Sequence, residues 1–174
     1  SIFERPLAES KIRQGVTLEV TGNCGIGAFP VEPRRRDLLA DYLKMHEGCL
    51  PDDGLAWGEF AGYAARLDAL PLGLNLVPLV AHGALRLAGM GADDRPPDPG
   101  ELRRMEEMLD AALQQGAWGM STGLIYPPGS FAGTEEVMAL SRVLARAGAL
   151  YASHIRGEGD TVLEALDEAV RIGR

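Results

Sequence analysis

The feature that most narrows the fold is a recurring unit in which a short apolar run is followed by a helical pattern. Residues 16–21, 74–81, 117–121 and 149–153 are nearly continuous apolar stretches rather than alternating ones, as in parallel strands covered on both faces. Between them the period changes to that of a helix. Residues 101–115 place Leu102, Met105, Leu109, Ala112 and Leu113 on one face and stop before Gly116. Residues 134–147 offer Thr134 as an N-cap, Glu135 and Glu136 at the positive helix end, an apolar face of Val137, Leu140 and Leu144, and Gly148 as terminator. A third helix is expected to start at Asp160 and run through Leu163, Leu166 and Val170 to Gly173. Strand–helix units of roughly 30 residues are the mark of right-handed βαβ crossovers. The expected fold class is therefore α/β, with about four parallel strands and covering helices.

Residues 31–73 are longer than one crossover needs and hold two weaker helical patterns, 34–46 and 57–69, so they read as an elaborated helical connection. Residues 89–100 concentrate Gly, Pro and Asp and read as a surface loop. At 174 residues the default is one domain with one core. A formal charge of −8 argues against nucleic acid or an anionic membrane as partner, because phosphate binding needs clustered Lys and Arg. The short basic run Arg34–Arg35–Arg36 reads as a solvated helix start after Pro33. Two cysteines make no disulfide framework, and no apolar run approaches the roughly 20 residues of a membrane span. With no signal-peptide pattern at its start, the chain is expected in the cytoplasm. Opening on Ser rather than Met fits an excised or processed piece.

Chemically competent residues collect where the apolar runs end: Cys24 after the first, His82 after the second, Ser121 and Thr122 at the third, His154 and Arg156 after the fourth. In parallel sheets and barrels this carboxyl end of the strands is where ligands and reacting groups assemble. Cys24 and His154 admit three readings. They share a zinc ion as thiolate and imidazole. Alternatively His154 activates Cys24 as a nucleophile, or Cys24 is a small buried hydrophobe. GNCGIG, residues 22–27, has the order G-x-x-G-x-G and lacks a following Lys-Ser/Thr, so it is neither the dinucleotide fingerprint nor a P-loop. Its glycines suit a sharp turn and close backbone approach. Cys49 reads as an inert loop cysteine, and His46 as a helix-end cation favoured by the dipole. His82, before Gly83, stands equally as a group orienting substrate or one bonding a neighbouring carbonyl.

Taken together, AESKIRQGVTLEVTGNCG (8–25), AHGALR (81–86), GAWGMSTGLIYPPGSFAGTEEVMAL (116–140) and YASHIRGEGDTVLEALDEAVRIG (151–173) resemble the N-acyl-D-amino-acid deacylases, or D-aminoacylases, of the amidohydrolase superfamily. The resemblance implies a metal-dependent TIM-type (β/α) barrel that hydrolyses the amide of N-acyl-D-amino acids. It implies zinc, with the GNCG cysteine, Cys24, and the motif histidine, His154, as ligands. It also implies a substrate site at Tyr126, with Ser121 and Thr122 lining the same pocket. The family's H-x-H pair, further metal histidine and catalytic aspartate have no counterpart here. A complete barrel needs about 250 residues. The chain thus reads as an internal part of such a barrel, residues 1–174, inactive by itself and prone to self-association through open sheet edges. A self-contained α/β small-molecule binding module and a Cys-His thiol hydrolase are the alternatives.

Overall fold

The computed structural model describes residues 2–47 and 54–174. Cys49 lies outside the described residues. In chain order the elements are α1 (Glu9–Ile12), β1 (Leu18–Thr21), α2 (Arg36–Glu47), α3 (Phe60–Asp68), β2 (Asn75–Pro78), β3 (Val80–Ala81), α4 (His82–Gly89), α5 (Pro99–Gln114), β4 (Gly119–Gly123), α6 (Thr134–Ala147), β5 (Leu150–His154) and α7 (Val162–Gly173). All strand pairs are parallel. The chain is α/β, as the alternating pattern requires.

The expected strand over 74–81 is divided. Its first half pairs with β1, matching Leu18 to Asn75 and Thr21 to Pro78, whereas its second half pairs with β4, matching Ala81 to Ser121. Backbone bonds cross the break: Leu79 N–H donates to Thr21 O at 2.9 Å and Trp118 N–H to Pro78 O at 3.1 Å. β4 continues to β5, matching Thr122 to Ser153 and Gly123 to His154. One consequence places the site. The carboxyl ends of β1, β3, β4 and β5 lead directly into the Gly22 turn, His82, Leu124 and Ile155.

The strands form two sheets, β1–β2 and β3–β4–β5, and burial follows position across them. β4 is buried along its whole length, while Leu18 and Val20 of β1 and Leu150 of β5 are exposed. The expectation that every strand is covered on both faces therefore holds for the centre and fails at the rims. The core joins Val80, Leu85, Met105, Leu109, Met120 and Leu140 to the long connection. Phe60 and Tyr63 of the connection form an aromatic cluster with Phe29, which precedes it: the Phe29 ring lies 5.2 Å from Phe60 and 4.9 Å from Tyr63. Burying such rings provides much of the core's apolar area.

Helix α4 has no counterpart among the expected elements because all of its residues are buried, so no polar face marks its period. Its terminal carbonyls are satisfied from outside: Arg35 donates to Ala88 O at 2.7 Å and Arg104 to Gly89 O at 3.1 Å. Arg35 is thus a helix cap rather than a solvated charge. α5 starts at Pro99, ahead of the expected 101, because Asp98 and Glu101 form a reciprocal capping box. α6 is capped by Gly133 instead of Thr134, whose hydroxyl donates to Glu168 at 2.8 Å. α7 begins at Val162 rather than Asp160.

A buried polar group ties α4 to α6. Glu136 Oε1 lies 2.8 Å from His82 Nε2, its Oε2 accepts from Arg86, and all three side chains are essentially inaccessible. Arg86 also donates to Arg95 O at 3.0 Å. Burial pushes the Glu136 carboxyl up, but the hydrogen bond and charge of His82, with those of Arg86, outweigh it and hold the group below its ordinary value. Glu101 is lowered to about 2, chiefly by its hydrogen bonds from Arg95. For both, the folded state binds its proton more weakly than the unfolded chain. Their stabilisation is present above the ordinary carboxyl value of 4.5 and is lost as the pH falls through the folded-state values.

Two outcomes are expected. Glu136→Ala strands a buried guanidinium and should lower unfolding stability by about 3–5 kcal/mol in urea titrations, against less than about 0.5 kcal/mol for an exposed control such as Glu164→Ala. The urea midpoint should also fall between about pH 6 and pH 3, with a smaller fall in Glu101→Gln.

Candidate metal centre

Cys24 sits in a single 3₁₀ turn, Asn23–Gly25, that stops β1. Its own backbone is left-handed, φ 57° and ψ 24°, a conformation that costs a non-glycine residue of order 1–3 kcal/mol and persists where its surroundings fix it. Those surroundings are specific. Ser121 Oγ accepts from Gly25 N–H at 3.0 Å and donates to Gly22 O, so one hydroxyl on β4 brackets both ends of the turn. Tyr42 donates its hydroxyl to Gly25 O at 3.2 Å. Burial first, then the nearby Cys24 and Tyr126, push that phenol up to about 12, which keeps it protonated and a donor.

The turn also lies directly on the neighbouring strand. A Cβ at Gly123 would meet Cys24 O at 2.0 Å, and one at Gly22, where φ is +79°, would meet Leu79 O at 2.3 Å. Glycine is required at both for the turn to seat. GNCGIG carries a sequence signal for close backbone approach, whereas the matching Gly123 on β4 gains its meaning only from the tertiary contact.

Cys24 is a free, partly buried thiol. It shares a cavity of about 480 Å³ with Asn23, Ala152, Ser153, His154, Ile155 and Glu158. The fold therefore brings together the two residues read from the ends of the first and last apolar runs. The His154 side chain is 20% exposed, and its Nε2 lies 3.1 Å from Glu158 Oε1. A carboxylate on one ring nitrogen fixes the tautomer and aims the other nitrogen, the usual support of a metal-binding imidazole. A soft thiol and an imidazole facing one cavity are a donor pair suited to zinc. Among the described residues no group of three or more His, Cys, Asp or Glu is placed to hold a metal ion.

The Tyr126 ring stands edge-on to His154, with centroids 4.9 Å apart, and 5.9 Å from His46, which in turn lies 4.8 Å from Tyr42. A second cavity, about 560 Å³, reaches Cys24 from the side of Thr21, Gly27 and His46. The helix-end position of His46 does not announce its place beside Tyr126, which depends on a tertiary contact outside any local spacing.

The remaining expected pocket residues lie elsewhere. Ser121 is fully buried under the turn, its hydroxyl occupied by Gly22 and Gly25. Thr122 is fully buried, with Oγ1 at 3.0 Å from Ser153 Oγ and 3.1 Å from the Tyr151 hydroxyl. His82 is fully buried against Glu136 and lines neither cavity at Cys24.

No family model matches the chain. It is 40% identical over 174 residues to N-acyl-D-aspartate deacylase of Alcaligenes xylosoxydans xylosoxydans, a span covering 99% of this chain and 34% of that protein. The crystal structure of N-acyl-D-glutamate deacylase from Bordetella bronchiseptica, complexed with zinc and a phosphonate mimic of the tetrahedral intermediate, superposes with a TM-score of 0.86. That match is at 39% identity, over 99% of this chain and 35% of that one. A D-aminoacylase described as defining a novel subset of amidohydrolases gives a TM-score of 0.84 at 37% identity over 99% of this chain and 35% of that one. The chain spans about a third of the length of each of these proteins. Identity and backbone agreement run through nearly every residue, so the chain is similar along its whole length to about a third of the length of the N-acyl-D-amino-acid deacylases.

Proposed function

We propose that the protein containing this chain hydrolyses the amide bond of N-acyl-D-amino acids, with a zinc ion held in part by Cys24 and His154. The observation that carries this reading is the convergence of a thiol from the end of β1 and an imidazole from the end of β5 on one cavity. When bound, zinc acts as a Lewis acid toward water and the amide carbonyl. The chain's own residues then have distinct tasks. Cys24 binds as thiolate, aimed by the left-handed turn that Ser121 and Tyr42 hold. His154 binds through one ring nitrogen while Glu158 steadies the other. Tyr126, edge-on to His154, directs its hydroxyl to the substrate carbonyl and favours the negative oxygen that develops as the amide is attacked.

In this reading the parallel sheet is part of a (β/α)₈ barrel, residues 1–174 are an internal part of it, and 31–73 are its elaborated helical connection. Further metal donors and the general base come from outside the chain, in line with no group of three or more His, Cys, Asp or Glu among the described residues being placed to hold a metal ion. No described helix is long and apolar enough to cross a membrane. A reducing compartment such as the cytoplasm suits a centre that depends on a free thiolate. Exposed Leu18 and Val20 on β1, and Leu163, Leu166 and Val170 on α7, are the faces that the rest of the barrel would cover.

Three measurements follow. The full-length protein should hydrolyse N-acyl-D-methionine, N-acyl-D-aspartate or N-acyl-D-glutamate in a chelator-sensitive way. Residues 1–174 alone should show no turnover, and chelator-resistant but iodoacetamide-sensitive activity would favour a thiol hydrolase instead. Cys24→Ser should lower both zinc content and kcat/KM of the full-length protein by at least about tenfold, and zinc affinity should fall as the pH is lowered, because protons compete with the metal for its ligands. In sedimentation velocity, residues 1–174 should run larger than a monomer; a sharp monomer boundary at high concentration would contradict the open-edge reading.

A further inference from the structure

The segment from Leu124 to Gly133 carries Tyr126 and leaves β4 without regular structure except a 3₁₀ turn at Gly129–Phe131. A tyrosine on such a segment acts in chemistry only if the segment is held in one position. The hold comes from the next strand end. Arg156 donates from Nη1 to Ser130 O at 3.1 Å and from Nη2 to Ala132 O at 2.8 Å. The same guanidinium forks onto Glu168 of α7, from Nε at 2.9 Å and Nη2 at 2.9 Å. Glu168 Oε1 also accepts from Thr134 at 2.8 Å, which binds it to the start of α6.

The chain of bonds reaches Tyr126 itself. Ser130 N–H donates to Tyr126 O at 2.8 Å, while the Ser130 carbonyl is the one that Arg156 takes. Arg156 stands two residues beyond His154, on the same strand exit, and Leu124 N–H donates to His154 O at 2.9 Å. Thus a single short stretch presents the imidazole and, two residues on, the group that fixes the ring facing it.

We propose that Arg156, anchored by Glu168, is a positioning residue that sets Tyr126 against His154. It rests on the deacylase reading for its effect on catalysis, but its geometry stands on the bonds above. Burial alone would raise the Glu168 carboxyl; the hydrogen bonds of Arg156 and Thr134 and the charges of Arg156 and Arg171 instead lower it, so the anchor stays ionised. A lysine cannot replace the arginine, since one ammonium does not present a planar fork to a carboxylate and two carbonyls together.

The test uses the full-length zinc-loaded protein with Arg156→Lys, Glu168→Gln, Tyr126→Phe and the double variant Arg156→Lys/Tyr126→Phe. Arg156→Lys should speed amide exchange of residues 129–132 by about tenfold or more, while β4 amides and zinc content stay at wild-type values. It should lower kcat/KM by about tenfold or more in the wild-type background and less than about twofold in the Tyr126→Phe background, because the two act as one unit. Glu168→Gln should move both readouts in the same direction by a smaller factor. Unchanged exchange in Arg156→Lys, or losses that multiply in the double variant, would overturn the proposal. Absence of turnover by the wild-type protein would strike the deacylase reading, and exchange would still decide whether Arg156 holds the segment.

Discussion

The organisation of this chain depends on one tight seat, the Gly22–Gly25 turn pressed onto β4. The turn's backbone comes so close that Cys24 O occupies the space a Gly123 side chain would take, and Ser121 uses its single hydroxyl to bind both Gly22 and Gly25. This contact converts the end of an exposed edge strand into a fixed platform. β1 itself is half exposed and, among the described residues, pairs with β2 alone, so its own ladder is a weak anchor for a reactive side chain. Through Ser121 the turn is tied instead to β4, which is buried along its length. The strain of a left-handed cysteine is thereby held against a fully buried strand.

Around that seat, polar groups divide into those that face the cavities and those that hold the framework. Ser121, Thr122, His82, Glu136 and Arg86 are buried and internally bonded, and their role is to fix where strands and helices meet. Cys24, His154, Tyr126 and His46 sit in front of them, partly accessible and close to one another. The separation has a physical basis. Buried polar groups spend most of their donors and acceptors on neighbours, although His82 Nδ1 and Arg86 Nε have no hydrogen-bond partner among the described residues, whereas a group that binds metal or substrate must keep capacity in reserve.

Much of this was legible in the residues alone. The alternation of apolar runs and helical patterns predicts α/β, and the end of each run predicts where chemistry gathers, which is why Cys24 and His154 are found on one cavity. The illegible parts have identifiable causes. Helix α4 hides because it has no polar face. The run at 74–81 divides because its halves pair with different neighbours, a property of tertiary pairing rather than composition. Ser121 looks like a pocket residue at the end of β4 until its partners, nearly a hundred residues away, are known. Arg156 and His46 likewise acquire meaning only from contacts on other elements.

Whether Cys24 serves as a metal thiolate beside His154 is tested most directly by zinc K-edge X-ray absorption on the full-length protein. One sulfur scatterer at about 2.3 Å, lost in Cys24→Ser, is the predicted result. A first shell of nitrogen and oxygen alone, unchanged by that substitution, would contradict it.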